Sequence, residues 1–130
     1  MLKKIKSLNL SGKECLPIIE GGKGVGITTG TTAGHFAKAG AIGTFSGVNA
    51  DYIDENGRFI PLEYKTHTRR DKHEELILDG IRGGISQARI AHDISGGNGR
   101  IHMNILWEMG GAERVLHGIL EGAKGLIHGV

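Results

Sequence analysis

Cysteine is all but missing from this chain. Cys15 stands alone, so no internal disulfide can form, and a lone thiol fits a reducing compartment. Long apolar runs are missing too: no stretch approaches the ~18 residues of a membrane span. Lys3, Lys4 and Lys6 precede only a short apolar stretch without the hydrophobic region of a signal peptide. Cytoplasm is therefore the default expectation, with no membrane partner. A charge excess is also lacking. The net charge of +2 comes from interspersed signs, which argues against a basic patch for nucleic acid or membrane. The densest basic cluster, Lys65 to Lys72, is interrupted by Asp71 and reads as a solvated helix start. With 130 residues the chain makes one domain at most.

What the chain has in quantity is glycine: 23 of 130 residues, about 18% against the usual ~7%. These glycines are not periodic and fall at the ends of apolar runs, where turns between strands and helices need them. The stretch Pro17-Ile18-Ile19-Glu20-Gly21-Gly22-Lys23-Gly24-Val25-Gly26-Ile27 joins an apolar run to a glycine cluster, and a helical pattern opens soon after. Strand, glycine turn and capped helix is the order in which α/β proteins build phosphate or cofactor cradles. The spacing is neither G-x-G-x-x-G, since Thr29 stands at the last glycine position, nor a P-loop, since no Gly-Lys-Ser/Thr occurs. A tight turn without a ligand accounts for the spacing equally well.

In chain order, a short strand is expected at Ile5–Leu10 with a turn at Ser11-Gly12, then a strand at Leu16–Glu20. A helix over Thr31–Ala39 follows, capped by Thr31 or Thr32, with Phe36 and Ala37 inward and Gly40 as its stop. Ala41–Gly47 is the second strand; strand–helix–strand implies a right-handed crossover and parallel pairing. Residues 48–66 form a surface excursion with a hairpin at Asn56-Gly57. Asp71 and Glu74 stand in capping-box spacing at the head of a long helical pattern. Leu76, Ile77, Ile81, Ile85 and Ala88 form its inner stripe, and Gly83-Gly84 are expected to split it. Arg100–Trp107 is the third strand, Ala112–Ala123 a helix and Gly125–Val130 a fourth strand.

Repeated βα units point to an α/β fold of parallel strands, either doubly wound or a (β/α)₈ barrel. Four strands would make about half of such a TIM barrel, which needs ~250 residues when complete. Ending on a bare apolar strand leaves an unpaired edge. The expectation is that either a second copy closes the structure as a homo-oligomer or, as favoured here, a carboxy-terminal half follows in a longer protein.

With these units placed, the sequence resembles the amino-terminal part of the nitronate monooxygenase family (2-nitropropane dioxygenases), from about Pro17 to the last residue. The resemblance is carried by Pro17–Gly22, by Ala33-Gly34-His35-Phe36-Ala37-Lys38-Ala39-Gly40-Ala41-Ile42-Gly43-Thr44, by Asn104 in His102-Met103-Asn104-Ile105, and by Gly122–Ile127. It implies an FMN-binding TIM-barrel domain across residues 1–130 and a flavoprotein oxidoreductase that oxidises alkyl nitronates with O2. NAD(P)H is a candidate donor, and the substrate is a small molecule. The cofactor-binding residues it implies are the backbone of Gly21, Gly22 and Lys23, together with Asn104. Where the family often has Met after the glycine pair, this chain has Lys23, and the excursion from Asn49 to Tyr64 is longer than in compact members. The family's catalytic histidine and main FMN-phosphate loops lie in later segments, so no catalytic residue is assigned and activity of the chain alone is expected to be absent or weak.

The residues on their own agree with a ligand at Asn104. Along a buried strand Ile101, Met103, Ile105 and Trp107 share one face and His102, Asn104 and Leu106 the other, and a polar Asn there needs a partner. A structural Asn bonded to a neighbouring loop is the other reading. Trp107 reads as packing. His102 and His128 lie near the mouth and could line a pocket, but a satisfied rim histidine is the plainer reading of each. Thr44 and Ser46 end the second strand, where barrel enzymes place working residues, yet no base accompanies them as nucleophiles. His73-Glu74-Glu75-Leu76-Ile77 opens like a zinc-protease signature, but Ile77 replaces the second His, and no metal site is expected. Two other readings stay open: a non-catalytic nucleotide- or phosphate-binding α/β module that dimerises, and a truncated remnant.

Overall fold

The computed structural model describes residues 5–130, so Lys3 and Lys4 lie outside the described residues. The described chain is a small α/β domain of three helices and two two-stranded sheets, and no closed barrel forms among the described residues. Strands β1 (Leu8–Leu10) and β2 (Lys13–Cys15) pair antiparallel in a hairpin. Its two-residue turn, Ser11-Gly12, has positive φ at both positions, as a type I′ turn requires. The turn falls where the sequence places it; the pairing of the three residues after it does not show in so polar a stretch.

Helix α1 (Gly30–Lys38) begins one residue earlier than expected, and Thr29 rather than Thr31 or Thr32 caps it. Thr29 Oγ1 accepts from Thr32 N while Thr32 Oγ1 accepts from Thr29 N, a reciprocal capping box. Ala37 is buried as expected, but Phe36 is 39% exposed, because Ala33, Gly34 and Ala37 form the stripe that faces inward. Strands β3 (Ile42–Ser46) and β4 (Arg100–Asn104) pair in parallel, with Thr44 opposite His102 and Ser46 opposite Asn104.

Two further segments dock on this pair without forming strands of their own. Glu20 N donates to Ile42 O and Ile42 N to Ile18 O, both at 2.9 Å, and Ile19 bridges Ile42 in parallel. On the other side, His128 N donates to Ile101 O at 2.8 Å and Met103 N to Gly129 O at 2.9 Å. The strands expected at Leu16–Glu20 and Gly125–Val130 are thus reduced to single bridges, at Ile19 and Gly129. Across the layer the order is Ile18–Glu20, β3, β4, His128–Gly129, the order of the chain itself.

Helix α2 (Arg69–Ser95) is one uninterrupted helix of 27 residues, so Gly83-Gly84 do not split it. A helical glycine costs about 1 kcal/mol relative to alanine, but here each glycine is a notch filled by a neighbour. A Cβ on Gly83 would strike the Ala50 carbonyl, and one on Gly84 would strike Ile119. Its start is also earlier than the Asp71–Glu74 spacing suggests: Thr68 is the cap, accepting from Asp71 N at 3.1 Å. Helix α3 (Ala112–Gly122) closes the set. Phe45, Ile101 and Met103 point from β3 and β4 into a core with Ala33, Ala37, Ile77, Ala88, Val115 and Ile119 of the helices. The helices therefore cover one face of the β3–β4 layer. The opposite face carries Thr44, Ser46, His102 and Asn104.

Candidate functional site

The glycine stretch lies across the carboxyl ends of β3 and β4. A Cβ added to Gly22 would collide with Asn104 Cβ and lie 2.9 Å from its Cγ and 3.1 Å from Thr44 Cγ2. Only glycine lets the backbone come this close, so Gly22 and Asn104 form one unit. Gly21 and Gly22 donate to no acceptor among the described residues, and both are exposed. Lys23 behaves differently. Its N–H donates to Thr28 Oγ1 at 3.2 Å and its carbonyl accepts from Thr28 N at 3.3 Å, which pins the loop from Lys23 to Thr28. Of the four cofactor-binding residues expected, Gly22 and Asn104 are brought into contact, Gly21 flanks them with a free donor, and Lys23 offers its exposed side chain alone.

The rest of the mouth is held by side chains accepting from backbone. Glu20 Oε2 accepts from Thr44 N at 3.1 Å, in the place a continued strand would fill with a carbonyl. Ser46 Oγ, fully buried, accepts from Gly26 N at 3.3 Å and Val48 N at 3.2 Å, and this engagement explains its place at the strand end without nucleophile chemistry. Gln87, buried on α2, bridges two segments: Oε1 accepts from Gly30 N at 2.6 Å and Nε2 donates to Asp51 O at 2.7 Å. Sequence reasoning missed Glu20 and Gln87. The available signal for Gln87 was a polar residue between Gly84 and Ala88 on the inner stripe.

Thr44 is the exception. It is 6% exposed, and its Oγ1 has no hydrogen-bond partner. An unsatisfied buried hydroxyl costs about 1–3 kcal/mol, and this one sits beneath Gly22. Beside it on β4, His102 is half-buried and its ring packs flat against Gly129, where a Cβ would come 2.7 Å from Nε2. Burial pushes the His102 imidazole below its ordinary value, because the charged ring is the form that loses solvation. His128 is also pushed down, first by burial and then by the Arg100 charge, and its Nδ1 accepts from Ile101 N at 3.1 Å. His128 is thus a satisfied rim histidine and His102 is not. Trp107 is 64% exposed and contributes no core packing, a correction to its reading as a packing residue: β4 ends at Asn104, so the alternation that would turn Trp107 inward stops before it.

Two clefts lie elsewhere. One of about 670 Å³ is lined by Tyr52–Glu55 and by Arg82, Ser86 and Arg89 of α2; another of about 490 Å³ joins Ile60–Glu63 to Leu78 and Arg82. Among the described residues no cluster of side chains suits a metal ion, and no helix is long and apolar enough to cross a membrane. Neither the protein-family models nor the curated proteins compared with this chain give a match.

Proposed function

We propose that this chain is part of an FMN-dependent oxidoreductase of the nitronate monooxygenase kind, acting on alkyl nitronates with O2. The observation that carries the reading is the seating of Gly22 on Asn104 at the carboxyl ends of two parallel strands, where α/β proteins place ligands. The residues fit the cofactor: Gly21 and Gly22 N–H groups without an acceptor among the described residues, a half-buried Asn and an orphaned threonine hydroxyl are gathered where Gly22 meets Asn104 and Thr44. Gly21, Gly22, Lys23 and Asn104 would hold the flavin, which supplies the electron acceptor for a carbanion-like substrate. The chain's own share is to present donors, orient the ring and keep water from one side of it.

The layer order supports half of a TIM (β/α)₈ barrel as the finer architecture, because each parallel segment lies beside the next in sequence with a helix outside. Either a second copy or further chain would complete it, and the compartment we infer is the cytoplasm.

Titrating the full chain with FMN, followed by flavin fluorescence and repeated with Asn104→Ala, tests the reading. Saturable quenching weakened by the substitution supports it. No binding by folded protein overturns the idea that this chain alone is a flavoprotein.

One observation favours a second reading, a non-catalytic nucleotide- or phosphate-binding module. The cleft of about 670 Å³ brings together Arg82 and Arg89 with Asp54, Glu55 and Asp93, and none of the glycine stretch lines it. Nucleotide binding lost in Arg82→Ala with Arg89→Ala, and kept in Asn104→Ala, would select it.

A further inference from the structure

Thr44 and His102 are Cα partners on adjacent parallel strands, so their side chains project on the same face, side by side. Thr44 Oγ1 is buried and unpartnered. The His102 imidazole has no hydrogen bond among the described residues, and burial is the sole influence that displaces its titration. Buried polar groups in folded proteins nearly always find a partner. Two adjacent groups without one, on the face the helices leave bare and beneath the Gly22–Asn104 contact, form a donor–acceptor pair awaiting a third party.

The charge of this face limits what that party is. The Arg100 guanidinium is committed to the β1–β2 turn, donating from Nε to Leu10 O at 2.7 Å and from Nη2 to Ser11 O at 2.6 Å. The face itself offers a hydroxyl, an imidazole and the Asn104 amide, each able to donate and accept, while the nearby cation, Lys23, stands on the exposed loop and not on the face. Such a row suits an uncharged edge of alternating carbonyl and N–H groups better than a phosphate.

We infer that Thr44 and His102 are ligand-binding residues that hydrogen-bond the pyrimidine edge of the flavin ring. This inference rests on the proposed flavin reading and assigns two residues to the ring rather than to the phosphate.

The test uses the full chain with FMN and with lumiflavin, which lacks the ribityl phosphate, against Thr44→Val and His102→Gln. Each variant should bind both flavins about ten-fold more weakly, the loss of one hydrogen bond to a buried group. The urea midpoint of Thr44→Val should stay level or rise, since an orphaned hydroxyl is being removed. Imidazole ¹⁵N resonances of His102 in the unaltered protein should move on FMN addition, and this arm decides the matter if a variant fails to fold. FMN binding unchanged in both variants, with a stationary His102 signal, overturns the inference and leaves the flavin reading standing. Weakened FMN binding with unchanged lumiflavin binding overturns the ring assignment. A folded, unaltered protein that binds neither flavin overturns flavin binding by this chain alone and the inference with it.

Discussion

Gly22 rests its backbone directly on the Asn104 side chain, with no room for even a methyl group between them. Gly22→Ala should therefore destabilise the chain by about 1–3 kcal/mol, the usual penalty for overfilling a packed contact. Asn104→Gly removes the Cβ that the new methyl would meet. Urea unfolding of the two single variants and the double variant should show marked non-additivity, with the double variant recovering much of the Gly22→Ala loss. Additive losses would mean that the glycine stretch does not sit on β4.

Gln87 is the tie between α1 and the chain entering the surface excursion. Replacing it with Leu keeps the volume but leaves Gly30 N and Asp51 O without their partners. Two unmet backbone groups imply a loss of roughly 2–4 kcal/mol. Thermal or urea unfolding measures it, and a loss within 0.5 kcal/mol, about that of an ordinary surface substitution, would count against the bridge.

Acid should loosen this protein through its histidines. Both His102 and His128 are held below the ordinary 6.5 in the folded state. Between 6.5 and the lower folded value, the unfolded chain binds more protons than the folded one, so stability rises with pH across that window and falls as pH drops through it. Protonating His128 also removes the lone pair that accepts from Ile101 N, which weakens the docking of the last segment on β4. Urea midpoints measured from pH 7 downwards should decline, and His128→Gln should flatten the decline. A profile unchanged by that substitution would place the acid lability elsewhere.

Gly118 on α3 receives Ile81 of α2, whose Cδ1 would come 2.7 Å from an added Cβ. Gly118→Ala should cost about 1–3 kcal/mol through overpacking despite the better helix propensity of alanine. Combined with Ile81→Ala it should cost less than the sum of the two. Denaturant titration of the four proteins checks this.

The order of elements was legible in the sequence because apolar runs, glycine stops and capping residues act locally. The Asn56-Gly57 turn illustrates this, with Ile53 bridging Phe59 across it. The continuity of α2 was not legible. Glycine is a helix breaker by propensity, and only tertiary contact reveals Gly83 and Gly84 as seats for Ala50 and Ile119. The outer strands were over-read for a related reason: apolar composition at Ile18-Ile19 and Leu126-Ile127 does not say whether a neighbour exists on both sides, and here each has one. At the candidate site, Gly22 and Asn104 could be named from motif and alternation. The difference between His102 and His128 could not, because it depends on which ring nitrogen meets a backbone N–H.

The contacts between α2 and α3 follow a rule of their own. Ile77, Ile81 and Ile85 of α2 seat in turn against Gly111, the cap before α3, and Gly118 and Gly122 within it. Matching teeth and notches at successive heights act as a vernier: they engage at one axial offset and foul at any other. The short segment after α3 inherits that offset, so the height at which Gly129 meets His102 is gauged on the far side of the layer, by residues that never touch the candidate site.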